Sequence, residues 1–427
     1  MIDEEHGSFD TAPESDGYYE ETVVEYVDTR RTRTVLALLL VILILLLVGV
    51  GYFLVRSARP AGAPTADTLP AGITWVRSLY AWGPSPEQML NTPTAVDIGP
   101  DGTIWTLASK RYIVGYSPSG QVRKVISPAV GQQPGQVTSL EGIAVGDDGA
   151  IYVTDFGNNA VDVFSPAGAF LRSWGVQLPQ VVDVKGNTVA IAATNGIGLF
   201  DTQGVLVAKW GSRGSKQDQV DVPHGIVIGD DGNIYVADTQ NRRVKAYDQG
   251  GRLLWTNADP STVGKNLMST EGTAPVINGV SQAMQLPCGL TQDGAGRLLM
   301  VDAFTFDVIV LDPAKKGLIT ARFGEQGVQD GQFTYPTGVA YDKDRDTVIV
   351  ADTSNNRLQV IRIPGTGGSA VRRTLKSLTD TPIWLCAVPL MLLLVALMLG
   401  LRGRNREHTE APTPTLTRTD PSNGVHA

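Results

Sequence analysis

The feature that most limits what this chain can fold into is self-similarity. The stretch "NIYVADTQNRRVKAYDQGGRLLW", residues 233–255, returns in shortened form as "TVIVADTSNNRLQVI", residues 347–361. A short lead-in, Pro or Leu, one residue, then usually Gly, occurs six times: "PTA" at 93–95, "LEG" at 140–142, "PQV" at 179–181, "PHG" at 223–225, "PCG" at 287–289 and "PTG" at 336–338. The third residues are spaced by 47, 39, 44, 64 and 49. After each lead-in come short alternating runs such as "AIYVTDF", "TVAIAAT" and "RLLMVDA", rich in β-branched residues. They are separated by Asp-Gly, Asn-Gly or Gly-rich turns such as "DDGA", "KGNT" and "GAGR", the pattern of antiparallel strands joined tightly. A supersecondary unit of this kind cannot bury its apolar face alone and stacks on its copies; four strands per 40–50 residues is the unit of a β-propeller blade. The expected fold is all-β, a six-bladed propeller over residues 73–363.

The ends of the repeat predict how the ring closes. The sixth unit has no fourth strand, because "NNRLQVIRI" runs directly into a linker. An unpartnered copy of that strand precedes the first unit: "WVRSLYAWG", 75–83, resembles "AFLRSWG" at 169–175 and "VLVAKWG" at 205–211. The first strand is therefore expected to complete the last blade, with Leu79 near Val360, which removes an edge open to aggregation.

The segments "VPHGIVIGDDGNIYVADTQNRRVKAYDQGGRLL" and "YPTGVAYDKDRDTVIVADTSNNRLQVI" resemble NHL repeats, and "FGEQGVQDGQFTYPTG" resembles the Gly-rich approach to one. The resemblance is strongest in the second, fourth and sixth units. It departs in the first, where Ala108 replaces the motif Asp, and in the third, shortened at "ATNGIG". It implies a six-bladed propeller. In this family the propeller serves as a protein-binding module, an RNA-binding module, a receptor sensor or a metal-dependent lyase, so the fold alone assigns no activity.

The repeated residues read as scaffold. Asp155, Asp238, Asp302 and Asp352 end strands and are followed by turns containing Asn158, Asn241 and Asn355; a strand-end Asp accepts backbone N–H groups in such a turn. Arg243 and Arg357 repeat one motif position and read the same way. Function is expected where the repeats differ. The middle residue of the lead-in varies, Thr94, Glu141, Gln180, His224, Cys288 and Thr337, and these six are expected to ring one mouth of the central channel as a ligand-binding site for a polar ligand or cation. No catalytic residue and no cofactor is assigned. The chain has four His, of which only His224 lies in the propeller, so a poly-His zinc site is excluded. A calcium-dependent lactonase site would need Asn and Asp converging with Glu141, and these are absent from the lead-ins. No G-x-S-x-G turn marks a nucleophilic serine. Cys288 and His224 hold adjacent lead-ins, a pairing read as chance. The alternative to a binding module is a metal-dependent lyase or hydrolase built on Glu141 and His224, or a ligand sensor. The insertion Asn257–Gln285, which produces the 64-residue spacing, is expected to act as a lid or partner contact.

Two apolar runs set the broad class. Residues 35–55 form 21 uncharged residues and 383–401 form 19, each long enough to cross a bilayer as a helix at about 1.5 Å per residue. The expected map is an acidic disordered cytoplasmic tail (1–34), a first transmembrane helix (35–55), a linker (56–72), the propeller (73–363), a second linker (364–381), a second transmembrane helix (382–401) and a disordered cytoplasmic tail (402–427). Arg30, Arg31 and Arg33 before the first run, and Arg402, Arg404 and Arg406 after the second, favour cytoplasmic termini and an extracytoplasmic propeller. The expected localisation is the cytoplasmic membrane, multi-pass. The net charge of −8 argues against nucleic acid. Expected partners are a protein, peptide or glycan on the propeller face, subunits of a membrane complex and the bilayer itself.

Overall fold

The computed structural model describes residues 71–257 and 275–368, together with Leu43. Residues 71–257 and 275–368 belong to one unit. The two apolar runs, apart from Leu43, and both tails lie outside the described residues, as do most of both linkers. Among the described residues no helix is long and apolar enough to cross a membrane.

Alternation and turn chemistry produce the strands. In the hairpin of blade 4, Asp231 accepts the amide of Asn233 at 3.0 Å while Gly232, at φ 77°, turns back to the Gly229 carbonyl. Gly carries that left-handed conformation without a Cβ penalty. The outcome is six four-stranded antiparallel sheets. Five are consecutive in sequence, over 96–126, 140–175, 179–210, 225–256 and 287–323; the sixth takes three strands from 336–362 and its outermost strand from the start of the described chain.

That borrowed strand, Thr74–Leu79, pairs antiparallel with Arg357–Arg362. Thr74 faces Arg362, Arg77 faces Val360 and Leu79 faces Leu358. The expected closure is therefore observed, and Leu79 and Val360 share one buried cluster.

The core is not central. It is divided into six clusters, each shared by two adjacent sheets. Val227 and Tyr235 of blade 4 pack with Leu290 and Met300 of blade 5; Val114 of blade 1 packs with Ile349 of blade 6, which closes the circle. The first strand of each blade, for example Leu140–Val145 and Pro179–Lys185, packs beside the first strands of its neighbours, so these strands line the axis. Of the insertion 257–285, residues 258–274 lie outside the described residues. Residues 275–285 form a small hairpin, Val276–Ile277 with Val280–Ser281. It is fastened to the outer strand of blade 5 by reciprocal bonds between Gln282 and Ile319.

Candidate functional site

The repeated motif is a buried polar lock. Asp238 accepts the amide of Asp221 at 2.7 Å, both side-chain contacts from Asn241, and the Arg243 Nε at 2.7 Å. Arg243 in turn donates to the carbonyls of Ser215, Lys216 and Gln219. Blade 6 repeats the arrangement with Asp352, Asn355 and Arg357. The motif carboxylates therefore fasten the lead-in loop as well as the following turn: Asp155 takes the amides of Thr138, Ser139 and Asn158, and Asp302 those of Gln285, Leu286, Phe304 and Thr305. All four are fully buried. Their donors consume the acceptor capacity that a metal or substrate would need.

The six variable lead-in residues separate into two groups. Thr94, His224 and Thr337 border the axial channel, which encloses about 60 Å³ and is bounded by the first strands of all six blades. Thr337 donates to the Thr94 carbonyl at 2.9 Å and Thr94 to the Glu141 carbonyl at 3.4 Å, so both hydroxyls act as ties between blades. His224 is held below the usual imidazole range, chiefly by burial, with the Glu141 charge opposing and that of Lys110 adding. Glu141 is neutralised by Lys110 at 2.6 Å and accepts from Ser139 at 3.2 Å. Gln180 is buried and gives its amide to Thr194 at 2.9 Å. Cys288 packs in the cluster of blades 5 and 6 among Val301 and Val339, and burial, followed by the Asp302 charge, pushes its thiol up to about 12. The cysteine and the histidine thus occupy different environments, one in the core and one on the channel.

A volume of about 60 Å³ holds a few water molecules. Small-molecule sites usually need several times that space. Among the described residues no group of three or more His, Cys, Asp or Glu is placed to hold a metal ion.

One pair near the axis was not foreseen. Asp97 and Asp183 occupy the same register in the first strands of blades 1 and 3, three residues beyond Thr94 and Gln180. Asp97 accepts the Val145 amide of blade 2 at 2.7 Å, and Asp183 the Ile228 amide of blade 4 at 2.7 Å. Burial, then the charge of Asp183, pushes Asp97 up to about 7; Asp183 is also raised, chiefly by burial. The signal was present as Val-Asp-Ile and Val-Asp-Val, a carboxylate inside an otherwise apolar strand.

A family model described as the NHL repeat matches residues 138–164, 221–247 and 333–361, the strands and locks of blades 2, 4 and 6. The chain carries NHL repeats. NHL repeat-containing protein 3 of Mus musculus is 27% identical over 244 residues, covering 52% of this chain and 63% of that protein. Protein SUPPRESSOR OF QUENCHING 1, chloroplastic, of Arabidopsis thaliana is 30% identical over 148 residues, covering 33% of this chain and 14% of that protein. The chain thus spans less than two thirds of the length of either relative. A solved structure described as a streptogramin B lyase aligns with a TM-score of 0.45 at 12% identity, covering 68% of this chain and 98% of that one. The matched NHL segments coincide with the three blades whose locks are complete at both the Asp and the Asn; blades 1 and 3, which depart from the motif, lie outside them.

Proposed function

We propose that this NHL propeller is a non-catalytic protein-binding module. It is tethered to the cytoplasmic membrane by the apolar runs 35–55 and 383–401, with the propeller extracytoplasmic and both termini inside. The observation that carries the binding role is the state of the polar groups around the axis: Glu141 is ion-paired, Gln180 is tied to Thr194 within its own blade, the threonines are tied to neighbouring blades, and the channel admits only a few waters. Among the described residues no cluster of His, Cys, Asp or Glu could hold a metal ion there, whereas NHL propellers generally bind proteins. Tethering through two spans is supported by the pairing of Thr74 with Arg362, since the two linkers then start from neighbouring strands. Subunits of a membrane complex are the partners this arrangement favours.

The test uses the full chain in intact cells. An impermeant lysine-reactive crosslinker is expected to join the propeller to a discrete protein, and alkaline carbonate is expected to leave the chain in the membrane pellet. A chain lacking 35–55 and 383–401 is expected in the supernatant. Extraction of the full chain by carbonate, or a propeller that reacts only after lysis, would overturn the tether or its orientation. A propeller that never crosslinks to any protein would overturn the binding role.

A further inference from the structure

Blade 3 departs from blades 4 and 6 in two ways at once. By strand register, Ala193 stands where those blades have Asp238 and Asp352, Gly196 where they have Arg243 and Arg357, and Gly198 where they have Lys245 and Gln359. In blades 4 and 6 these long side chains reach the lead-in loop: Lys245 donates to the Gln217 and Gln219 carbonyls, and Gln359 to that of Gln332. Blade 3 lacks that loop as well. Only residues 176–178 separate the outer strand of blade 2 from the first strand of blade 3, against 211–224 before blade 4.

The space that lock and loop would fill is a cavity of about 380 Å³. This is within the range of binding pockets and far above the axial channel. Trp174, Phe200, Ile191, Ile197 and Leu206 supply its apolar walls. Its polar groups lack partners. The Trp174 Nε1 is buried with no hydrogen bond. The side chains of Gln177, Asn195 and Lys209 also make none among the described residues. No carboxylate lines the pocket, although the chain carries 43 acidic against 35 basic residues. Beside it, Val205, Leu206 and Val207 are 61%, 52% and 69% exposed, an apolar strip at the edge of the sheet.

An aromatic slot with unpaired donors and one free cation is complementary to an apolar group carrying an acid. We infer that this pocket is the propeller's docking site for its protein partner: it receives one large apolar side chain of an extended segment, whose neighbouring carboxylate pairs with Lys209. This rests on the protein-binding reading above and names the surface and the ligand chemistry.

The test is to pan a random peptide library on the full chain in detergent and to measure the affinity of the selected peptides. Selected sequences are expected to place an aromatic or large aliphatic residue beside Asp or Glu. Their affinity is expected to fall about tenfold or more with Lys209→Glu, and again with Ala193→Leu, which fills the slot, while Lys209→Arg retains binding. Lys209 is exposed and unpaired, so its substitutions keep the fold even where Ala193→Leu does not. Selected peptides indifferent to Lys209→Glu would overturn the inference and leave protein binding standing with its surface elsewhere. Failure to select any peptide would overturn it too, and crosslinking in cells then decides the broader reading independently.

Discussion

At the scale of single residues, burial decides which charges matter. Asp238 is fully buried against Arg243, whose side chain is 7% exposed, whereas the Lys110 side chain facing Glu141 is 50% exposed. Removing one partner of a buried pair strands the other without water, at about 3–5 kcal/mol, while an exposed pair contributes about 0–1 kcal/mol. Asp238→Ala is therefore expected to lower the urea midpoint severely, since it also takes from Lys245, already pushed to about 8 mainly by burial, the larger of the two carboxylate charges that favour its ammonium, leaving only that of Asp218. Glu141→Gln is expected to move the midpoint little; comparable losses from the two would refute the lock. Asp97 makes a pH-dependent prediction. Its folded pKa, about 7, lies above the ordinary 3.8, so the native state holds a proton that the unfolded chain releases. On this group's account stability is greatest below about pH 4 and falls as pH rises toward about 7. Asp97→Asn keeps an acceptor for the Val145 amide and removes the charge. It is expected to gain stability over the parent at about pH 8, with the gain shrinking at about pH 5; a gain independent of pH would refute the assignment.

At the scale of elements, the outer strand of one blade is clamped by the turn of the next. A Cβ at Gly251 would lie 2.7 Å from the ring of Trp210, and one at Gly204 would lie 2.7 Å from that of Trp174. This is the structural role of the recurring aromatic-Gly ending, whose rings pack beneath the following hairpin. Gly251 has φ 82° and Gly279 has φ 81°, but a Cβ at Gly279 meets nothing within 4 Å. Gly279→Ala is thus expected to cost only backbone strain, about 1 kcal/mol, and Gly251→Ala about 1–3 kcal/mol more from overpacking, read as the difference in urea midpoints. Equal costs would mean that the Trp210 ring yields freely. Strands and turns of this kind were legible because alternation and Asp-Gly pairs act locally. The lead-in loops were less so: the isolated parallel bridges Arg213 to Val220 and Gln326 to Phe333 fold each loop on itself, and no short-range pattern announces them. The blade 3 pocket was legible only as a shortened motif at "ATNGIG", because a cavity is made by side chains that are absent and is visible only against the blades that have them.

At the scale of the whole molecule, blade number and closure were both readable in advance, because each follows from counting units and noticing one strand short at the end and one to spare at the beginning. The ring of variable residues was readable only in part. Register decides which side chain meets the axis, and an irregularity in pairing just after Leu140, Pro179 and Pro336, and after Cys288 in blade 5, alters that register within the lead-in itself. The closure, by contrast, is testable directly. Thr74 and Arg362 are paired across the seam between the first strand and the last, so Thr74→Cys with Arg362→Cys brings two thiols opposite each other. A disulfide there encloses almost the entire propeller, and in the chain-entropy account such a long loop stabilises by about 5–6 kcal/mol. Of the two native cysteines, Cys288 does not compete for the bond, being buried with its thiol pushed up to about 12, and Cys386 is replaced by Ala in every protein compared. The oxidised double variant is expected to melt well above its own reduced form, and either single variant is expected to melt alike with and without reductant. A disulfide that fails to form, or forms without raising the melting temperature, would mean that the two strands are not held together in solution. The stability of the ring would then have to come from the six apolar clusters between its blades.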